Sequence, residues 1–179
     1  MKRALLPALL AGLTLTLAAC QDGSGPEARM EATPAEDPTN PWATYANGGW
    51  NHEGDEVTTT NSGLQYIVLE SGPACEEGPT GGDQAFVHYE GRLEDGTAFD
   101  SSFERGRATN FPANGVIKGW TEALGMMCPG DDWLVYVPSE LGYGDRGAGP
   151  VIKAGDDLIF RIILLADIAE EDWSGESFK

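Results

Sequence analysis

Few side chains in this 179-residue sequence are of the kinds that make and break bonds. There are two histidines, His52 and His88, and three cysteines, Cys20, Cys75 and Cys128, too scattered for a zinc cage. No GxSxG elbow occurs, and neither histidine has an evident nucleophile beside it in sequence. His88 lies between Val87 and Tyr89 in an apolar run, where a packed or solvent-facing structural role is expected. The stretch Gly142-Tyr143-Gly144-Asp145-Arg146-Gly147 spells GxGxxG, but it leads into Ala148-Gly149-Pro150 rather than a helix. No helix N-terminus then awaits a pyrophosphate. Neither a metal nor a cofactor is implied. What the chain does hold is a density of aromatic rings beside turns: Tyr89, Phe99, Phe111, Trp120, Tyr143 and Phe160. Rings so placed either fill a core or line an apolar cavity.

The elements that must position these rings read as short apolar runs broken by Gly, Asp and Pro. Gly 24 and Pro 11 in the chain point to a turn-rich β fold. Strands are predicted at Leu64–Glu70, Gln84–Leu93, Trp133–Pro138 and Leu158–Ile168. The last is apolar on nearly both faces. Leu158, Phe160, Ile162 and Leu164 alternate with Ile159, Arg161, Ile163 and Leu165, so it should be a central strand. Only Lys118–Met127 reads as a helix, with Ala123, Leu124 and Met127 at helical spacing. One helix against an antiparallel sheet is an α+β domain.

Upstream, Met1-Lys2-Arg3 and an apolar stretch to Ala19 read as a signal peptide over residues 1–19. Leu17-Ala18-Ala19-Cys20 resembles a bacterial lipobox, which would make Cys20 the lipidated N-terminus. Gln21 after it, in place of Asp, favours the outer membrane, facing the periplasm. Residues 20–56 read as a tether, in which Gln21–Pro41 carries Pro26, Pro34, Pro38 and Pro41 among acidic residues and has a reach on the order of 25 Å. Trp42, Tyr45 and Trp50 either pack on the domain edge or form a loose arm. The domain proper is expected over 57–168, followed by an acidic tail, 169–179, in which Trp173 can dock. Lys+Arg 11 against Asp+Glu 29 gives a net charge of −18, which argues against nucleic acid as a partner. No apolar run after the N-terminus is long enough to cross a bilayer. In an exported chain Cys75 and Cys128 are expected to pair, two free thiols or a labile redox pair being the alternative.

Five blocks in order resemble the FKBP-type peptidyl-prolyl isomerases. They are Val87-His88-Tyr89-Glu90-Gly91, the run from Leu93 to Ser102 (LEDGTAFDSS), Val116-Ile117-Lys118-Gly119-Trp120, Pro138 to Gly144 (PSELGYG) and Leu158-Ile159-Phe160. Ser62-Gly63-Leu64-Gln65-Tyr66 is similar to the first strand of secreted bacterial members. The resemblance implies a twisted antiparallel sheet of five to six strands wrapped around one short helix, with a pocket between them. By resemblance, Trp120 is the floor of that pocket, and Tyr89, Phe99 and Phe160 are its walls. Val116 and Ile117 form a rim, the Ile117 N–H donating to a substrate carbonyl and the Tyr143 hydroxyl to another. Asp100 contacts the twisting amide, and Arg105 pairs with it; alternatively that pair only pins a loop. Phe111 falls near a further wall position. The loop before the last strand carries Val151 and Ile152 at rim positions, but Lys153-Ala154 replace two prolines usual in bacterial members.

The implied activity is acceleration of Xaa-Pro isomerisation in proteins of the bacterial envelope, on flexible or unfolded polypeptides, with FK506-like macrolides as ligands of the same pocket. A non-catalytic module that holds proline segments is the alternative. Without a helical arm, a monomer is expected. The chemistry agrees with the residue types. Rotation about an Xaa-Pro bond breaks amide resonance over about 18–20 kcal/mol, and no proton need move. An aromatic cavity that desolvates and twists the amide suffices.

Overall fold

The computed structural model describes Trp42 and residues 50–174. The predicted signal peptide, Cys20 with its expected lipid and most of the tether lie outside the described residues. Seven strands and one α-helix follow in chain order: β1 (Thr58–Thr59), β2 (Gln65–Glu70), β3 (Gln84–Leu93), β4 (Ala98–Ser101), β5 (Thr109–Pro112), α1 (Lys118–Met126), β6 (Asp132–Val137) and β7 (Leu158–Ile168). All pair antiparallel in one sheet of order β1-β2-β6-β7-β3-β4, with β5 on the same edge of β3 as β4. β3 is long enough to hold both. Glu90–Arg92 face β4, and Gln84–Val87 face β5.

The expected α+β architecture is thus present, with seven strands where five or six were expected. The additions are short. β1 has two residues, and β4 and β5 have four each, too few to show an alternation of their own. The long edge of β3 recruits them. β6 runs Asp132–Val137 rather than Trp133–Pro138, since Pro138 has no N–H to give the ladder. Central β7 lies between β6 and β3, as its two-sided apolar pattern requires.

The concave face of the sheet packs on α1. Trp120, Ala123, Leu124 and Met127 turn inward at helical spacing and join Val87, Val135, Val137, Leu158, Ile162 and Leu164 in the main core. Gly119 lets helix and sheet meet closely. A β-carbon there would lie 2.6 Å from Val137 Cγ1. The opposite face has a second core in which Trp42 and Trp50 cover Ile67, Leu134, Tyr136 and Ile159. Both tryptophans lie before Val57 and are buried, so this part of the arm packs on the domain edge. Downstream, the Glu170 N–H donates to Asp83 Oδ1, and the Trp173 ring lies 5.6 Å from that of Phe86.

Cys75 and Cys128 are disulfide-bonded, with Cα atoms 5.7 Å apart. The bridge ties the β2–β3 connection to the chain just past α1. Beside it, the buried Asp131 carboxylate accepts from the N–H groups of Gly72 (2.7 Å) and Cys128 (2.8 Å).

Candidate functional site

A cavity of about 590 Å³ opens between α1, the concave sheet face and the loop that joins β6 to β7. Eleven of the twelve pocket residues expected from the sequence line it: Tyr89, Phe99, Asp100, Phe111, Val116, Ile117, Trp120, Tyr143, Val151, Ile152 and Phe160. The backbone explains the convergence. Tyr89 on β3 and Phe160 on β7 point to the concave face, Phe99 and Asp100 come from β4, and Phe111 comes from β5. α1 brings Trp120 beneath them.

Trp120, 4% exposed, meets three rings edge to face, with centroids at 5.1 Å (Tyr89), 5.3 Å (Phe160) and 5.7 Å (Phe111). Phe99 meets Phe160 in the same way at 5.6 Å. Perpendicular rings put the positive edge of one against the negative face of the next, a favourable arrangement that also fixes the cavity's shape. Gly91 makes room for the last pair. It stands opposite Phe160 in the β3–β7 register, and a β-carbon there would lie 2.5 Å from Phe99 Cζ and 2.7 Å from Phe160 Cε1. Gly91→Ala should therefore push both rings aside and reshape the cavity, at an overpacking cost of about 1–3 kcal/mol. A thermal melt would check it, and an unchanged midpoint would show that the rings need not hold this pose.

The polar groups sit on one wall. The Tyr89 hydroxyl donates to Asp100 Oδ2 at 2.5 Å and accepts from Arg105 Nη2 at 3.0 Å, while Arg105 Nη1 pairs with Asp100 Oδ1. Arg105 is the expected pocket residue that does not line the cavity. It stands behind Asp100 and Tyr89, and its Nη2 also reaches Thr109 Oγ1 at 3.4 Å. Its bonds to Asp100 and Tyr89 hold two residues of the cavity wall. Burial, and then the bond to Asp100, push the Tyr89 hydroxyl up to about 12.

On the rim, Ile117 caps α1, its carbonyl accepting from the Trp120 and Thr121 N–H groups at 3.0 and 3.1 Å. Among the described residues no backbone acceptor takes its own N–H. Tyr143, 40% exposed, presents its ring from the β6–β7 loop. The same loop adds Ala148, Gly149 and Pro150, and Gly115 adds to the lining beside Val116; the sequence reading did not include these four. Their small or rigid side chains carry no chemical signal, though their closeness to Val116 and Val151 was one. The loop crosslinks itself without the two absent prolines. Ala148 and Ile152 exchange backbone hydrogen bonds at 2.9 and 3.2 Å, and the Gly155 N–H reaches the Gly144 carbonyl at 3.0 Å. Single 3-10 turns at Ser139–Leu141 and Gly144–Arg146 replace the helix that a nucleotide motif would need. His88 has a packed structural role: Nδ1 lies 3.0 Å from Ser102 Oγ, and the ring stacks on Phe103.

A family model described as FKBP-type peptidyl-prolyl cis-trans isomerase matches residues 75–165. The chain is 49% identical over 110 residues to the peptidyl-prolyl cis-trans isomerase Mip of Coxiella burnetii, covering 62% of this chain and 47% of that protein. It is 43% identical over 110 residues to the outer membrane protein MIP of Legionella longbeachae, covering 62% and 46%. Among solved structures it resembles FkpA from Escherichia coli, with a TM-score of 0.62 and 37% identity over 66% of this chain and 55% of that one. The chain thus spans about half the length of the curated relatives it matches.

Proposed function

Because the chain belongs to the FKBP-type peptidyl-prolyl cis-trans isomerases, we propose that it accelerates Xaa-Pro isomerisation in flexible or unfolded segments of bacterial envelope proteins. The observation that carries this is the single aromatic cavity in which eleven separately expected residues meet. The proline ring enters over Trp120, between Tyr89, Phe99 and Phe160. The Ile117 N–H and the Tyr143 hydroxyl hold flanking carbonyls and so keep the chain turned. Water leaves the amide carbonyl, which disfavours the planar, charge-separated form relative to the twisted one. Asp100, held by Tyr89 and Arg105, sets a fixed negative field beside the rotating bond. FK506-like macrolides would compete for the same space.

The address we propose is the cell envelope, reached through the signal peptide over residues 1–19 and anchored by lipid on Cys20. The outer-membrane name of the Legionella relative supports the compartment. The protein would act as a monomer.

No proton moves in this reaction, so no pKa near neutrality should govern it. The Tyr89 hydroxyl titrates at about 12 in the fold against an ordinary 10.0. A raised value means that the protonated form is favoured in the fold. Its contribution is complete below about pH 10 and is lost as pH rises through about 12. The predicted profile of kcat/KM is flat from about pH 6 to 9 and falls only in strong alkali. A bell near neutrality would contradict an amide-twisting mechanism and require a general acid or base. The direct test is cis-to-trans kinetics on an Xaa-Leu-Pro-Phe peptide with the full chain.

A further inference from the structure

The β6–β7 loop supplies six of the residues that line the cavity, Tyr143 and Ala148–Ile152. The crosslinks described above join this loop to itself. Beyond the Val137–Leu158 pair that ends the β6–β7 ladder, a side chain also ties its two ends together. Asp157, immediately before β7, accepts from the Ser139 N–H through Oδ1 at 2.7 Å and from the Tyr136 hydroxyl through Oδ2 at 2.5 Å. Ser139 lies one residue into the loop and Asp157 ends it, so one carboxylate bonds across the neck beside that ladder pair.

Tyr136 belongs to the opposite face of the sheet from the cavity. It is 6% exposed within the second core. The Trp50 ring stacks on it at 5.7 Å, and the His52 ring meets it edge-on at 4.8 Å. Gln65, its partner in the β2–β6 register, fastens both, since Gln65 Oε1 accepts from Trp50 Nε1 at 2.7 Å and lies 2.9 Å from His52 Nδ1. Burial and the bond to Asp157 raise the Tyr136 hydroxyl well above its ordinary range, so it stays a donor. A continuous set of contacts therefore runs from the chain before the domain, through Tyr136 and Asp157, to the neck of the loop that rims the pocket.

We propose that Asp157 is a positioning residue for the isomerase pocket, set by Tyr136, and that Trp50 and His52 brace it from the far face of the sheet. The claim rests on the isomerase reading for its kinetic consequence only. Loss of either bond leaves the aromatic walls intact and frees the rim loop, which changes substrate binding more than the rotation step.

The test compares Tyr136→Phe and Asp157→Ala with Ile67→Val in the full chain. Ile67→Val thins the same second core but removes none of the hydrogen bonds of the brace. Peptide isomerisation kinetics, thermal melts and residue-resolved hydrogen exchange are read for each. Tyr136→Phe, which loses one charge-assisted hydrogen bond, should raise KM about tenfold, and Asp157→Ala, which loses two, at least as much, with kcat changed less than threefold in both. The Ala148, Ile152 and Gly155 amides should exchange about tenfold faster than in Ile67→Val. Kinetic constants and exchange equal to those of Ile67→Val would overturn the proposal and leave Tyr136 a core residue only. If the folded wild type shows no isomerase activity, the function reading fails, and the exchange comparison alone decides whether the brace exists.

Discussion

Phe99→Ala is expected to lower kcat/KM for a prolyl peptide about a hundredfold while the fold survives. Phe99 sits on β4, a four-residue edge strand, and is half-buried against the core. Its ring meets Phe160 at 5.6 Å, over the space that Gly91 leaves open. Truncation removes a wall from the cavity but little from the interior. The stability cost should stay near 1–2 kcal/mol, below the 3–5 kcal/mol of a fully buried Phe→Ala. Two losses add in the transition state: apolar contact with the proline ring, and exclusion of water from the amide. About 2.7 kcal/mol of lost stabilisation corresponds to a hundredfold in rate. The check is isomerisation kinetics beside a thermal melt. A variant that melts a few degrees lower yet turns over like the wild type would remove Phe99 from the pocket's work.

The second large effect is on stability. Cys75 and Cys128 are 53 residues apart in sequence, and their bond closes the loop that contains β3, β4, β5 and α1. In the chain-entropy account, a loop of this length withholds about 4 kcal/mol from the unfolded state. A Cys75→Ala/Cys128→Ala double variant should therefore melt roughly 15 °C lower than the wild type. Neither residue lines the cavity, so kcat/KM measured well below the new midpoint should be unchanged. A midpoint within about 2 °C of the wild type would mean that the network around Asp131, which holds the Gly72 and Cys128 amides, already fixes this corner.

What could be read in advance followed the strength of the local signal. β7 announced itself as central because nearly every residue from Leu158 to Leu165 is apolar, a pattern that only a strand covered on both faces can use. α1 was legible from Ala123, Leu124 and Met127. β4 and β5 were not, because Ala98–Ser101 and Thr109–Pro112 are too short and too polar to alternate, and their strand character comes from the free edge of β3. The pocket was legible through a resemblance in five blocks rather than through any periodicity. The ring residues it named line the cavity, whereas Arg105 does not. A motif says that Arg105 and Asp100 pair, but not that Asp100 lines the cavity and Arg105 does not. The arm was the least legible part. Trp42 and Trp50 lie among Gly and Asn, and only the apolar far face formed by Ile67, Leu134, Tyr136 and Ile159 gives them a seat. Asp157 carried no signal at all, since one carboxylate before a strand looks like any turn residue.

The central claim is that this cavity turns Xaa-Pro bonds, and cis-to-trans kinetics on an Xaa-Leu-Pro-Phe peptide test it most directly. The full chain and its Asp100→Ala variant would be followed side by side, with the fold of each verified by its melt. Asp100→Ala takes the carboxylate from Tyr89 and Arg105 and leaves the aromatic floor in place. The account predicts acceleration by the wild type and a loss of at least about tenfold in the variant. A folded wild type that leaves the uncatalysed rate unchanged would contradict it.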